Sequence, residues 1–586
     1  MPESENKINA EVIAVYPNKV KISVDDLSKF VSIDSQVEKL KVGSYLEIAD
    51  DDNHKLIAII ESYSIVIDEN KASRRSYLIE ANPLGIIEEN KFSRGGDSLT
   101  IPPTKVSPAK QNDIKAIFNG AIKTEERFCF SKLAQNIEID TPINGNLFFN
   151  KHFAIVGSTG SGKSNTVAKI LQNATNSKKG EYSGLNNSHI VLFDIHGEYS
   201  SAFPNANLIN SSNIKIPYWL FDSDELGDLF IESNEDNSHN QVSQFRHAVT
   251  ENKKKENLND SDQNKISPDR IYFDSPLKFK IDEVIQYIKN MNNEVIGKSE
   301  NEGLPKKADG NLILNRLPFY FSENISFVET STAGGKKALN GPFHGHFERF
   351  IFRLETIRNN PRLKFLFENT YSLTLEDILK QFLGYGSKKS NVTVIDLSGI
   401  PFEVLSITVS LISRILFEYG YYYKRFLSGT SDCETPLLLV YEEAHKYVPK
   451  SDLVKYRASK NAIERIAKEG RKYGVTLGII SQRPSEISEN IFSQCNNFIS
   501  MRLTNPDDQN YVKRLLPDAL GNLTETLPSL KTGEALLIGD SIVMPSIVKI
   551  DECTDKPSSK DIKYIEIWQE AWKDVKFEKI VDEWKK

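Results

Sequence analysis

The chain has 586 residues, 39% of them hydrophobic and 26% charged, with a formal net charge of −7. That length exceeds one ordinary core and points to roughly two to four domains in a globular chain. The acidic balance excludes a basic footprint spread over the whole chain, so any nucleic-acid surface must be local.

Residues 8 to 67 alternate in short apolar bursts: AEVIAVYP, KVKISV, SYLEIA and KLIAIIESYSIVI. Turn signals at 17–18, 42–43 and 50–53 separate them. Short, regularly spaced strands predict a small β-barrel, which SRRSYLIEANPLGII extends to about residue 87. A loop rich in Gly, Pro and Ser, FSRGGDSLTIPPTKVSPAKQND, follows. The texture changes near residue 150. HFAIVGSTGSGKSNTVAKILQ reads as strand, glycine loop and helix, and HIVLFDIHGEY (189–199) as a second buried strand. NVTVIDLSGI (391–400), PLLLVYEEAH (436–445), GVTLGIISQRP (474–484), NFISMRL (497–503) and EALLIGDSIVMPSIV (534–548) complete the set. Near-continuous apolar strands alternating with helices predict a parallel α/β sheet covered on both faces.

Between 205 and 390, segments such as FERFIFRLETIR and LEDILKQFL predict a helical insertion. SNEDNSHNQ and ENKKKENLNDSDQNK within it read as polar, mobile loops, and the lysine run at 253–255 as a solvated loop rather than a binding patch. The C-terminal DIKYIEIWQEAWKDVKFEKIVDEWKK has helix-compatible spacing; Trp568 and Trp572 would share a face, docked on the chain's own core or, as the alternative, on a partner or another subunit. Cys129, Cys433, Cys495 and Cys553 form no C-x-x-C pair, which argues against a disulfide framework or zinc site and fits a reducing compartment. The first residues lack the apolar run of a signal peptide, and no stretch reaches the ~18 apolar residues of a membrane span. The expectation is a cytoplasmic chain without a membrane partner.

GSTGSGKS at 157–164 matches G-x-x-x-x-G-K-[ST] in the required strand–loop–helix context. Gly157, Ser158, Thr159, Gly160, Ser161, Gly162, Lys163, Ser164 and Asn165 are the candidate nucleotide-binding residues. The glycines let backbone N–H groups converge on phosphate oxygens, and the helix start favours anions. Lys163 should reach the β- and γ-phosphates of ATP, and Ser164 should coordinate Mg²⁺. Such a site also needs an acid near the metal and a group that orients the attacking water. Glu442 and Glu443 end the 436–440 strand and suit those two duties. Because neighbouring strand residues point to opposite faces, the two are expected to look apart. Asp194, ending another strand with Glu198 nearby, is a further candidate metal ligand. Helix 462–473 carries Arg465, Lys468, Arg471 and Lys472 between two core strands, where ring-forming ATPases place a trans-acting arginine. Gln482 and Arg483 end the next strand, where a polar side chain can sense the γ-phosphate.

The ordered set GSTGSGKS, FDIHGEY, IPYWLF, VIDLSGI, VYEEAHKYVP, EGRKYGV and SQRPSEI resembles the HerA family of hexameric ATPases, in the FtsK/HerA branch of P-loop NTPases. The resemblance runs from about residue 8 to 550. It implies a RecA-like P-loop core over 111–204 and 391–550, an N-terminal HAS-type barrel over 1–110, an inserted helical bundle over 205–390 and a helical tail over 551–586. It implies Glu442 as the Walker B acid holding Mg²⁺, Glu443 as the catalytic glutamate, Arg471 as the finger and Gln482 as the sensor. Glu442 departs from the commoner Asp, and the insertion carries long polar loops, which points to a bacterial member. Family members form homohexamers that couple ATP hydrolysis to movement on double-stranded DNA. They work with a NurA-type nuclease, or in anti-phage defence with Sir2-like or other effectors. Lys450, Lys455, Arg457 and Lys460 are the candidate pore cations for DNA. The alternative is an ATP-regulated hexameric scaffold that assembles and activates an effector without processive translocation. A conjugative or secretion ATPase of the same superfamily is a third class, disfavoured by the missing span and the barrel-like N-terminus.

Overall fold

The computed structural model describes residues 10–16, 18–25, 41–49, 55–67, 75–88, 91–94, 105–231, 238–259, 265–297, 303–331, 338–386, 388–427, 435–451, 457–515, 523–558 and 562–585. The expected 50–53 turn, Cys433, Lys455 and parts of the expected loops around 95–104, 232–237 and 260–264 lie outside them.

The alternating N-terminal bursts form β1 (Ala10–Tyr16), β2 (Lys19–Val24), β3 (Tyr45–Ala49), β4 (Lys55–Ile67), β5 (Arg75–Glu88), β6 (Lys91–Arg94) and β7 (Lys105–Pro108). They pair antiparallel in the order β1-β2-β5-β4-β3-β7, with β6 on β5. The end strands β1 and β7 lie in contact, so the sheet curls, but they are not hydrogen-bonded to each other among the described residues. One face encloses Val20, Ile22, Ile48, Ile60 and Ile79. Tyr45 ties this sheet to the core, its hydroxyl 2.9 Å from Ser546 Oγ.

The core sheet has eleven strands. They are β8 (Ser131–Leu133), β9 (Asn136–Asp140), β10 (His152–Val156), β11 (His189–Asp194), β12 (Asn207–Ile209), β13 (Val392–Asp396), β14 (Leu437–Tyr441), β15 (Val475–Ser481), β16 (Cys495–Met501), β17 (Glu534–Gly539) and β18 (Ser546–Ile550). Their order is β9-β8-β18-β17-β16-β10-β15-β14-β11-β13-β12. From β16 to β12 every pairing is parallel, and β10, β14 and β15 are buried at every position, as near-continuous apolar runs require. The remaining edge is antiparallel, which corrects the all-parallel expectation. The 534–548 run splits into β17 and β18, which form a hairpin. Two placements matter for the site. β15 lies between β10 and β14, and all three point their carboxyl ends the same way.

Helix α1 (Lys163–Asn176) follows the glycine loop. The insertion supplies α2 (Ser223–Phe230), α3 (Ser238–Asn259), α4 (Ile281–Asn293) and shorter helices at 348–358 and 375–382. It is not purely helical. Asn207–Ile209 joins the main sheet, and Val295–Gly297 pairs with Ala338–Asn340 in a small ribbon. Residues 238–241 and 251–259 of the two expected loops are helical instead, forming the two ends of the 22-residue α3. Lys253, expected in solvent, is fully buried, and its Nζ donates to the carbonyls of Phe273 (2.5 Å) and Ser275 (2.7 Å). Lys254 and Lys255 pair with Glu251 and Glu283. Tertiary carbonyls and carboxylates, invisible in a local window, organise the segment.

Burial pushes the Lys253 ammonium down to about 7. The unfolded chain, with an ordinary lysine, binds more protons than the folded one between about pH 7 and 10.4, so stability rises with pH there. The stability difference between the native chain and Lys253→Met should therefore shift in favour of the native chain from pH 7 to 9. Its slope is up to about 1.4 kcal/mol per pH unit. Parallel thermal melts of the two proteins check this; a flat difference refutes it.

Helix α5 (Phe402–Leu427) packs beneath the sheet. Its Val404–Phe426 segment is long and apolar enough to cross a membrane, against the expectation that no stretch would be, yet 78% of the qualifying window is buried in the protein. Arg414, midway along it, is tied to Glu225 of α2 (2.8 Å) and to Asp222 (3.1 Å). Helix α6 (Arg457–Glu469) lies against α5. The tail does not dock as expected. Its helices are confined to Tyr564–Trp568 and Phe577–Lys585, and Trp568, Trp572 and Trp584 are 72%, 95% and 83% exposed.

Candidate active site

The glycine loop leaves β10 and enters α1 through Gly162, whose φ of +105° only glycine adopts at low cost. A side chain at Gly157 would also collide with Ser161 Oγ at 2.6 Å and Met501 Cβ at 2.8 Å. The loop is braced by Ser158 N donating to Arg502 O (2.7 Å) and Gly533 N donating to Ser161 O (2.9 Å). Lys163 Nζ donates to Gly157 O (2.9 Å) and Ser158 O (3.3 Å). Burial lowers its pKa, while Glu443, Glu442 and Glu198 oppose that shift.

A cavity of about 560 Å³ gathers Thr159, Gly160, Gly162, Lys163, Ser164 and Asn165 with His196, Glu198, Glu442, Glu443 and Gln482. The two adjacent glutamates share it, which corrects the expectation that they look apart. β14 ends at Tyr441, and Glu443 has φ +47° and ψ +49°. Left-handed torsions break the strand's alternation and turn the second carboxylate to the same side. A non-glycine residue held there costs about 1 kcal/mol, a strain typical of functional sites.

Glu442 is 5% exposed, and its Oε2 has no hydrogen-bond partner among the described residues. Burial, with Asp194 and Glu198 alongside, pushes its carboxyl up to about 9. Asp194 serves differently from the expected metal ligand. Its Oδ1 accepts from the backbone N–H of His196 (3.2 Å) and Gly197 (2.8 Å), and its Oδ2 from Tyr199 (2.9 Å). It holds the 195–199 turn, which aims Glu198 into the cavity. Glu198 Oε2 accepts from Ser164 Oγ at 3.2 Å, so Glu198, not Asp194, stands beside the candidate cation ligand. Its signal in the sequence is the GEY that ends the second motif.

Gln482 sits where β15's place between β10 and β14 puts it. Its Oε1 accepts from Thr159 Oγ1 (2.6 Å), and its backbone N–H donates to Glu443 Oε2 (3.3 Å). One residue thus touches both the glycine loop and the second glutamate. Arg471 lies elsewhere, in the turn Gly470–Tyr473 before β15 begins. Its charge depresses the pKa of His152, the first residue of β10, after burial does. The glycine loop leaves the other end of that five-residue strand. At ~3.3 Å per residue, the two ends are about 16 Å apart. Within one chain Arg471 is on the wrong edge of the sheet to touch the phosphates.

Sequence reading also missed a C-terminal strap. Thr554 N donates to Gln172 Oε1 (2.8 Å) on α1, Ser558 N donates to Glu198 O (2.9 Å), and Thr532 and Ser558 complete the cavity wall. No local signal marks these residues, which lie far from the glycine loop in the chain. Of the candidate pore cations, Lys450 pairs with Glu489 at 2.7 Å. Arg457 opens α6 near Asp228, whose carboxyl burial pushes up to about 6. Lys460 is half-buried on the same helix, and Lys455 lies outside the described residues.

A glycine loop feeding a helix, a lysine within it, and two carboxylates and a glutamine converging from adjacent parallel strands define a P-loop ATPase. Comparison with known proteins narrows the class. Residues 128–416 match the family described as the central domain of helicase HerA. The DNA double-strand break repair helicase HerA of Saccharolobus solfataricus is 28% identical over 482 residues, covering 80% of this chain and 77% of that protein. Its namesake from Sulfolobus acidocaldarius is 26% identical over 567 residues, covering 93% and 96%. Among solved structures, VirB4 of Thermoanaerobacter pseudethanolicus aligns over 74% of this chain and 98% of its own, with 14% identity and a TM-score of 0.44. Over residues 128–416 the chain is thus similar to the central domain of helicase HerA, and over most of its length to these HerA relatives.

Proposed function

We propose that this chain is an Mg²⁺-dependent ATPase that works as a homohexameric ring, moving on double-stranded DNA in the cytoplasm together with a nuclease or another effector. The observation that carries this reading is the shared cavity of Lys163, Ser164, Glu442, Glu443 and Gln482, with Arg471 on the opposite edge. A cavity that lacks its cation finger within one chain is completed by a neighbour. The names of the HerA relatives supply the DNA, and the curled N-terminal sheet corresponds to the family's HAS barrel in this reading.

The residues fit both groups the reaction needs. Gly160 and Gly162, with positive φ, open a backbone cradle at the start of a 14-residue helix, which suits the phosphates of ATP. The orphaned Glu442 oxygen, the Ser164 hydroxyl and the neighbouring Glu198 are hard oxygen donors of the kind Mg²⁺ takes. Mg²⁺, when bound with ATP, supplies charge neutralisation on the β- and γ-phosphate oxygens. Lys163 leaves its loop carbonyls for the phosphates, Glu443 orients the attacking water, and Gln482 senses the γ-phosphate through its link to Thr159. Lys450, Lys455, Arg457 and Lys460 contact the DNA backbone and read no sequence.

The test is ATP turnover with and without linear duplex. DNA should stimulate turnover, and affinity for duplex should fall at least ~10-fold from 50 to 200 mM salt as counterion release weakens. Turnover indifferent to DNA, or binding indifferent to salt, refutes the motor reading. Lys163→Ala should lose nucleotide binding, measured by calorimetry with ATP. If an assembly carrying that variant kept full effector activity, the scaffold alternative would replace translocation.

A further inference from the structure

The motif VYEEAHKY contains one side chain that the ATPase reading leaves unused. His445 is nearly enclosed, with its side chain 10% exposed. Its Nδ1 lies 3.3 Å from Glu443 Oε2 and 3.1 Å from Ser481 Oγ. Ser481, the last residue of β15, is fully buried, and its Oγ already accepts the backbone N–H of Arg483 at 2.9 Å.

These distances fix the tautomer. A bare Nδ1 would set its lone pair against a carboxylate oxygen, which is repulsive. A protonated Nδ1 donates to Glu443, shared with Ser481 Oγ. Glu443 Oε2 also accepts the backbone N–H of Gln482, so two donors from two chain segments hold one carboxylate oxygen. One donor lies four residues beyond the end of β14, the other one residue beyond the end of β15. The backbone of Glu443 is itself held in left-handed torsions. What remains free is rotation of the side chain, and the two donors remove it.

We propose that His445 is the positioning residue of Glu443: its Nδ1–H, with the Gln482 N–H, pins Oε2 and leaves Oε1 to the attacking water. The inference rests on the reading of Glu443 as the water-orienting group. The resulting chain, Thr159 to Gln482 to Glu443 to His445 to Ser481, ties the phosphate side of the cavity to the carboxylate's orientation. A carboxylate that is present but free to rotate spends little of its time aligned, and effective orientation is worth orders of magnitude in rate.

The variants separate positioning from bulk. In His445→Asn an amide N–H stands where Nδ1 stands. In His445→Gln it moves one atom outward, to the Nε2 position. His445→Gln and His445→Ala should each lower kcat by about 10- to 100-fold and leave the ATP KM within about twofold. His445→Asn should recover most of that loss. In a Glu443→Gln background, where orientation no longer matters, His445→Gln should cost less than about twofold more. Thermal melts confirm that each variant is folded; if the alanine variant is not, the Asn and Gln pair decides. Equal losses in Asn and Gln, an effect confined to KM, or a full multiplicative loss in the double variant overturns the proposal. If Glu443→Gln alone turns over normally, the reading of Glu443 fails instead, and the two failures are distinguishable.

Discussion

Glu443→Gln is expected to bind ATP as tightly as the native chain and to hydrolyse it about 10²- to 10⁴-fold more slowly. The amide occupies the same volume and still accepts from Gln482 N–H through its oxygen, so the cavity and glycine loop should survive. What it loses is the charge and the second acceptor that align water with the γ-phosphate. Because binding energy is untouched, the loss should appear in kcat and not in ATP affinity. Single-turnover hydrolysis alongside equilibrium ATP binding reads both. Near-native turnover would remove Glu443 from the chemistry and leave Glu198 and Glu442 as the remaining cavity acids.

Arg471→Ala should lower turnover by about 10³-fold or more while ATP binding persists. The expectation depends on geometry rather than on motif. Arg471 sits at the His152 end of β10, and the glycine loop is at the other end. His152 secures that edge: its Nε2 donates to Ala467 O (2.9 Å) and its Nδ1 accepts from Leu477 N (3.0 Å), tying the end of α6 to the strand pair. The backbone of the arginine is tied in a turn, with Gly474 N–H donating to Arg471 O (3.3 Å), far from its own phosphates. Subunits carrying Arg471→Ala and subunits carrying Glu443→Gln, each inactive alone, should therefore regain part of the activity when mixed. The mixture contains interfaces with one intact glutamate and one intact arginine. Absence of rescue at every ratio would show that the arginine does not act across an interface.

The parts of this protein that were legible in its sequence are those set by neighbours in the chain. The strands of the core, the glycine loop and its helix, and the stop of the turn after α6 at Gly474, where φ is +72°, are all local. Apolar runs fix which segments are buried, and glycine fixes which backbone torsions are open. The acids at the strand ends were legible too, because carboxyl ends of parallel strands line the ligand crevice.

Other features depended on residues distant in the chain. The burial of Lys253 needs carbonyls from 273 and 275, and the strap across α1 needs residues 553–558 folded back onto Gln172 and Glu198. The assignment of Asp194 to a turn and Glu198 to the cavity turns on which carboxylate the backbone N–H groups claim first. The sequence determined that a P-loop strand, an acidic strand end and a polar strand end exist. Only tertiary structure decided that β15 lies between the other two and that Glu443 leaves the strand with reversed handedness. It also decided that Arg471 faces away. Strand order and the sign of one torsion are settled by packing across the whole sheet, which no window of the sequence contains.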